Sequence, residues 1–179
     1  MPLTLLLGGA RSGKSALAAR MATRWPGPVT VIVTGEARDE EMAERIRRHR
    51  AARPAAWDTV EEPVDLDGAI SGATADACVV VDCLTLWVSN LLERGEKDVQ
   101  ITDRARTAAD LAARRSASTI VVSNEVGSGI VPMNALARRY RDLLGEVNAI
   151  WADVAVSTLL VVAGRVLPLS EPADLGTDG

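Results

Sequence analysis

The segment Gly8-Gly9-Ala10-Arg11-Ser12-Gly13-Lys14-Ser15 holds its two fixed glycines, its lysine and its serine at the spacing of a phosphate-binding loop, directly after the apolar run Leu3 to Leu7. Glycines there let backbone N–H groups turn inward on a polyphosphate, and a following helix adds the favourable end of its dipole. Lys14 would reach the β and γ phosphates, and the Ser15 hydroxyl can ligate magnesium. A chance match somewhere in a chain of this size has a probability of roughly 1%. The chain carries only two lysines, Lys14 and Lys97, against eighteen arginines. A lysine kept at this position suits a compact ammonium that must fit under a phosphate.

A magnesium partner is expected at the end of a neighbouring strand, and Asp82 after Val79-Val80-Val81 is the best candidate, against the plainer reading of a strand-end or N-cap aspartate. Glu125 also leaves a strand, after Ile120-Val121-Val122, and its role stays open between metal ligand, base and loop structure. His49 is the only histidine. By helical spacing it shares a face with Met42 and Ile46, which favours a core side chain. Yet Arg45, Arg47, Arg48, Arg50 and Arg53 surround it, and a neutral imidazole among arginines suits a nucleophile that attacks a phosphate. A solvated basic helix face explains the same residues equally well.

The elements that must position these groups read as alternating strand and helix. Strand runs are expected at Leu3 to Leu7, Val29 to Val33, Val79 to Val81, Thr119 to Val122 and Leu159 to Val162, with a further strand at Trp57 to Glu61. Helical spacing covers Ser15 to Arg24, Glu40 to Arg53, Asp103 to Arg115 and Asn134 to about Ala155, with a short helix at Leu84 to Leu92. This order predicts an α/β fold with a mostly parallel central sheet flanked by helices. The chain of 179 residues, 47% hydrophobic and 3% aromatic without Phe, fits one domain over residues 1–169 with a core of Leu, Val, Ile and Ala. Residues 170–179, rich in Pro, Asp and Gly, are expected to be a disordered tail.

A formal net charge of -4 gives no overall basic field, so nucleic acid is not an expected partner. Cys78 and Cys83 form no metal-type cluster and read as reduced and structural. No apolar stretch reaches membrane-spanning length and no basic leader opens the chain, so a soluble cytoplasmic protein without membrane insertion is expected.

Taken together, the P-loop segment, Asp39-Glu40-Glu41-Met42-Ala43-Glu44-Arg45-Ile46, His49-Arg50-x-x-Arg53-Pro54-x-x-Trp57, Asp82-Cys83-Leu84-Thr85-Leu86-Trp87 and Asn124-Glu125-Val126-Gly127-x-Gly129-Ile130-Val131-Pro132 resemble the bifunctional adenosylcobinamide kinase / adenosylcobinamide-phosphate guanylyltransferase family of cobalamin biosynthesis. The resemblance covers nearly the whole chain. It implies a RecA-like P-loop NTPase fold, a homotrimer, and two reactions on the aminopropanol arm of a corrinoid. A nucleoside triphosphate, ATP or GTP, first phosphorylates the arm's hydroxyl; GTP then donates GMP to that phosphate and releases pyrophosphate, with Mg2+ as cofactor. It further implies that His49 carries GMP covalently and that Thr34, Gly35, Arg50, Arg53, Glu61 and Asp82 contact the nucleotide or its metal. Some relatives carry a second histidine where this chain has Arg48, which leaves His49 as the one possible carrier here.

Two rivals stand beside this reading. A simple P-loop small-molecule kinase would need no covalent step. A GTP-binding regulatory module would need a guanine-reading Asn-Lys-x-Asp, which the sequence lacks.

Overall fold

A computed structural model describes residues 3–51 and 53–171, with the side chains at positions 41, 45 and 49 outside the description. The elements run β1 (Leu3–Leu7), α1 (Lys14–Ala22), β2 (Val29–Val33), α2 (Glu40–Ala51), β3 (Asp58–Glu61), α3 (Leu66–Gly72), β4 (Cys78–Asp82), α4 (Leu84–Glu93), α5 (Asp98–Ala113), β5 (Thr119–Val122), α6 (Ala135–Val154), β6 (Ser157–Val162) and β7 (Arg165–Leu169). The strands form one seven-stranded sheet in the order β3-β2-β4-β5-β1-β6-β7. Every pairing is parallel except that of β6 with β7. A parallel sheet puts all its C-terminal strand ends on one edge, where the loops that follow β1 to β5 can meet.

The two faces of the sheet are covered unequally. Leu3, Leu5, Ile32, Val79, Val81 and Val121 pack under α3, α4, α5 and α6, whose anchors include Trp87, Leu91, Ile101, Leu144 and Trp151. Leu6, Val29, Val31, Val33, Val80, Ile120 and Val122 face the other side, where Ala18 and Ala22 of α1 meet them with Trp25 and Trp57. The small alanines one turn apart let α1 lie close to the sheet. Because β2 is covered from both sides, all five of its residues are buried, as expected of a central parallel strand.

Several boundaries differ from the sequence reading. The helix after Glu40 ends at Ala51, not Arg53, just before the Pro54 that cannot continue it. The helix expected from Asp103 begins at Asp98, because Gln100 Oε1 accepts from the Lys97 amide at 2.9 Å and secures an earlier start. α3 has seven residues, two of them glycines, too few to leave a legible period. β7 is exposed at every position and contains Pro168, so it lacks the apolar run of a buried strand and is tolerated at the sheet edge. The expected β3 and α4 are both present. Of the expected tail, residues 172–179 lie outside the described residues. Among the described residues no helix is long and apolar enough to cross a membrane.

Candidate active site

One register row organises the C-terminal edge of the sheet. Leu6 pairs with Val122, Val122 with Asp82, Asp82 with Val33, and Val33 with Glu61. Residues paired across neighbouring strands face the same side of the sheet. Leu6, Val33 and Val122 belong to the α1 side, so Asp82 and Glu61 face that side too. β5 lies between β1, which leads into the phosphate loop, and β4, which ends on Asp82.

The loop itself is held by close backbone approaches. Gly8 has φ +151°, and a Cβ there would lie 2.2 Å from the Val161 carbonyl oxygen of β6. No other residue fits without moving that strand. Gly13 precedes α1 in a left-handed conformation, and Gly164, in the turn between β6 and β7, donates its amide to the Ser12 carbonyl at 2.8 Å. The Glu125 amide donates to the Gly8 carbonyl at 3.1 Å. The β6–β7 hairpin and the segment after β5 therefore brace the loop. Lys14 is only 6% exposed, and its ammonium donates to the Gly8 carbonyl at 2.8 Å, the Gly9 carbonyl at 2.7 Å and Ser12 Oγ at 3.4 Å. Lys14 thus holds the cation inside the ring of loop backbone that a polyphosphate would occupy. Gly9, Ala10 and Arg11 are exposed along the rim.

Beside α1 a cavity of about 400 Å³ is lined by Ser15, Ala16, Ala19, Val80, Val122 and Trp57, with Arg53 and Asp82 also in its wall. Ser15 and Asp82 thus bring two hard oxygen donors to one space. That donor set fits magnesium, which takes one or two protein oxygens and completes its shell with phosphate and water. Arg53 donates to Asp82 Oδ2 at 3.0 Å, with the two side chains 12% and 15% exposed. Arg50 approaches Glu61 Oε1 at 3.4 Å in a much more exposed pair. Two ion pairs therefore tie the C-terminal end of α2 to the ends of β3 and β4. His49 lies on α2, one residue before Arg50; its side chain is outside the described residues.

Thr34 is fully buried beneath this edge. Its hydroxyl donates to the Cys83 carbonyl at 2.6 Å and accepts from the Cys83 amide at 3.0 Å, while its own amide donates to the Asp82 carbonyl at 3.2 Å. Its backbone and hydroxyl are engaged within the protein, so its contribution is to lock the chain around Asp82. A Cβ on Gly35 would lie 3.2 Å from Leu86 Cδ1, so this glycine allows α2 and α4 to close on one another. Glu125 caps its own loop, its Oε1 accepting from the amides of Gly127 and Ser128. Of the three roles left open for it, loop structure is the one its hydrogen bonds match.

The sequence reading passed over Asn90, which is 3% exposed on the apolar helix α4. Its Nδ2 donates to the carbonyls of Thr34 at 2.7 Å and Pro63 at 3.0 Å, and its Oδ1 accepts from Arg38 at 2.8 Å. The signal was a lone carboxamide in Leu84-Thr85-Leu86-Trp87-Val88-Ser89-Asn90-Leu91-Leu92, a place where a polar group must find partners. In the loop after β2, Glu36 meets Arg94 and Arg38, whose guanidinium groups hold its carboxyl well below the ordinary range, at about 2. Burial pushes the Cys78 thiol up to about 11, and both cysteines are free thiols.

Comparison with known proteins accords with this geometry. Residues 4–169 match the family described as cobinamide kinase / cobinamide phosphate guanyltransferase. A bifunctional adenosylcobalamin biosynthesis protein of Pseudomonas aeruginosa is 45% identical over 92% of this chain and 95% of its own. The protein of the same description from Salmonella typhimurium is 39% identical over 90% of this chain and 96% of its own. At the level of fold alone, a Pyrococcus horikoshii OT3 protein superposes with a TM-score of 0.55 at 11% identity, over 97% of this chain and 88% of that one. An ATPase of a bacterial type III secretion system gives 0.54 at 11% identity, over 89% of this chain and 50% of that one. The chain belongs to the cobinamide kinase / cobinamide phosphate guanyltransferase family.

Proposed function

We propose that this protein phosphorylates the aminopropanol hydroxyl of adenosylcobinamide with ATP or GTP, then transfers GMP from GTP to the resulting phosphate. The product is adenosylcobinamide-GDP, and both steps belong to nucleotide-loop assembly in cobalamin biosynthesis. The observation that carries the reading is the convergence on one sheet edge of Lys14, Ser15, Asp82 and Arg53, with α2 and its His49 tied to the same edge.

In the first step the substrate oxygen attacks the γ-phosphorus, the bond to the β-phosphate oxygen breaks, and the hydroxyl proton passes to solvent. Lys14 and the loop amides hold the phosphates in line. Magnesium, held by Ser15 and Asp82, would supply charge neutralisation of the phosphate oxygens. In the second step a ring nitrogen of His49 attacks the α-phosphorus of GTP and pyrophosphate leaves. An oxygen of the corrinoid phosphate then attacks the same phosphorus, and the N–P bond breaks to restore the imidazole. A covalent carrier splits a displacement between two anions into two steps. Arg50 and Arg53 lie within four positions of His49 and can neutralise charge as it develops. Gly8, Gly9, Ala10, Arg11, Ser12 and Gly13 cradle the phosphates, Gly35 and Glu61 line the nucleotide's side of the sheet edge, and Thr34 acts through Asp82. We place the enzyme in the cytoplasm as one catalytic domain over residues 1–169 that assembles as a homotrimer.

The test is incubation with GTP labelled in the α-phosphate. Label that stays on the denatured protein, and leaves it in acid but not in base, supports the covalent step. A simple kinase would give phosphorylated corrinoid without labelled protein.

A further inference from the structure

The face of β5 turned toward α6 changes character at its C-terminal end. Leu5 and Val121 pair in the register and both belong to the core cluster under α6. Ser123, two residues beyond Val121, faces the same side. It is fully buried, and its amide donates to the Leu6 carbonyl at 2.9 Å. On α6, Asn148 and Trp151 stand one turn apart on the face that also carries Leu144 and Val147. Asn148 is 6% exposed and Trp151 is enclosed completely.

Each of these residues has a buried polar atom without a hydrogen-bond partner among the described residues: Ser123 Oγ, Asn148 Oδ1 and Trp151 Nε1. The orientation of the carboxamide is fixed, because Asn148 Nδ2 donates to the Asn124 carbonyl at 3.0 Å. Turning the amide over would set Oδ1 against that carbonyl oxygen, acceptor against acceptor. Oδ1 therefore stays in the interior, and since Asn124 follows Ser123 directly, it is anchored one peptide away from the Ser123 hydroxyl. Thr119 Oγ1 is unpartnered as well. It lies four residues back, roughly 13 Å along the strand, and belongs to the other end of β5.

The chemistry of the three groups selects what can satisfy them. An indole N–H only donates, a carboxamide oxygen only accepts, and a hydroxyl does either. A cation would meet the positive end of the indole N–H and an anion would meet the carboxamide oxygen, with no counter-charge among the three groups. A small neutral molecule that both donates and accepts matches the set. Serine, where the row of Leu5 and Val121 would otherwise continue with a larger side chain, leaves room for the smallest of these.

We propose that β5 and α6 enclose one water molecule, which accepts from Trp151 Nε1 and donates to Asn148 Oδ1 and Ser123 Oγ. About three hydrogen bonds is the usual number for a buried water. This water secures the carboxamide that holds the Asn124 carbonyl, and the next amide, that of Glu125, donates to the Gly8 carbonyl at 3.1 Å. It is thus part of the floor behind the phosphate loop, whichever reaction the loop serves.

Nuclear magnetic resonance of the full chain reads the site directly. Trp151→Phe assigns the indole signal by its loss. In the wild type the Trp151 indole proton should cross-relax with a long-lived water, while the buried Trp87 indole, which donates to the Val64 carbonyl at 2.9 Å, is the control. Ser123→Ala removes one partner of the water, and the melting temperature should fall by about 2–4 °C, as for one net hydrogen bond in a domain of this size. In a dry interface the same change deletes an unpaired buried hydroxyl, so the melting temperature would stay or rise. Ser123→Val displaces the water, strands Asn148 Oδ1 and Trp151 Nε1, and should lower the melting temperature further. A Trp151 indole without a water signal, or a Ser123→Ala variant at least as stable as wild type, overturns the proposal.

Discussion

Arg53 Nη2 lies 3.0 Å from Asp82 Oδ2, so a residue following α2 and a residue ending β4 neutralise one another at the wall of the cavity beside α1. Under the proposed function Arg53 would meet phosphate and Asp82 magnesium. The pair therefore does more than hold α2 in place. A metal held by Asp82 would compete with Arg53 for the same carboxylate, and an arginine released toward bound phosphates would gain a second anion. Metal binding and arginine placement are linked by their shared partner.

Asp82→Asn keeps the side-chain size and removes that charge. Arg53 is left without its anion in a largely enclosed position, which should cost about 1–3 kcal/mol of stability. Apparent magnesium affinity should fall for at least one reaction, measured by titrating activity with magnesium. Unchanged magnesium dependence in both reactions would return Asp82 to a purely structural role.

Lys14→Ala removes the one ammonium inside the phosphate loop. Phosphoryl transfer should fall by at least about 10²–10³-fold, and guanylylation should be severely weakened, since both reactions place a triphosphate. Circular dichroism should show a folded protein. Wild-type rates for both reactions would refute the phosphate-loop assignment.

Gly8→Ala places a methyl group 2.2 Å from the Val161 carbonyl oxygen. Either β6 or the loop must shift, with a destabilisation of about 1–3 kcal/mol. Nucleotide affinity measured by calorimetry should fall with it. Gly9→Ala is the control, because a Cβ there meets nothing within 4 Å. Equal affinities in the two variants would contradict the close packing of β6 on the loop.

Glu36 gives a prediction in pH. Its carboxyl is held at about 2 in the folded protein by Arg94 and then Arg38, against an ordinary value of 4.5. A depressed carboxyl stabilises the fold above its ordinary value and loses that contribution as pH falls toward 2. Wild type should therefore be more stable than Glu36→Gln near neutrality, with the difference shrinking between pH 4.5 and 2 in denaturant titrations. A difference that is constant through this window would remove the ion pairs as its source.

The phosphate loop and most of the sheet were legible because their signals are local. Gly8 to Ser15 sits in one segment, and the runs at Val29 and Thr119 are continuous and β-branched. β7 and α3 were not legible, one being an exposed edge strand and the other a helix of seven residues. The residues of the candidate site could be named from the sequence, but their pairings could not. Nothing in the chain order joins Arg53 to Asp82 or Arg50 to Glu61; those contacts exist only once the parallel sheet has aligned the ends of β3 and β4. Thr34 shows the same limit, since its hydroxyl is committed to Cys83, far along the chain.

The covalent role proposed for His49 is probed by His49→Asn with GTP labelled in the α-phosphate. The variant should take up no label and lose nucleotidyl transfer, yet keep kinase activity, because γ-transfer needs no covalent carrier. In the wild type, labelling should slow in acid, because a protonated imidazole has no nucleophilic lone pair. If His49→Asn still accumulates an acid-labile GMP adduct, the phosphohistidine mechanism is contradicted, since the sequence offers no other histidine to carry it.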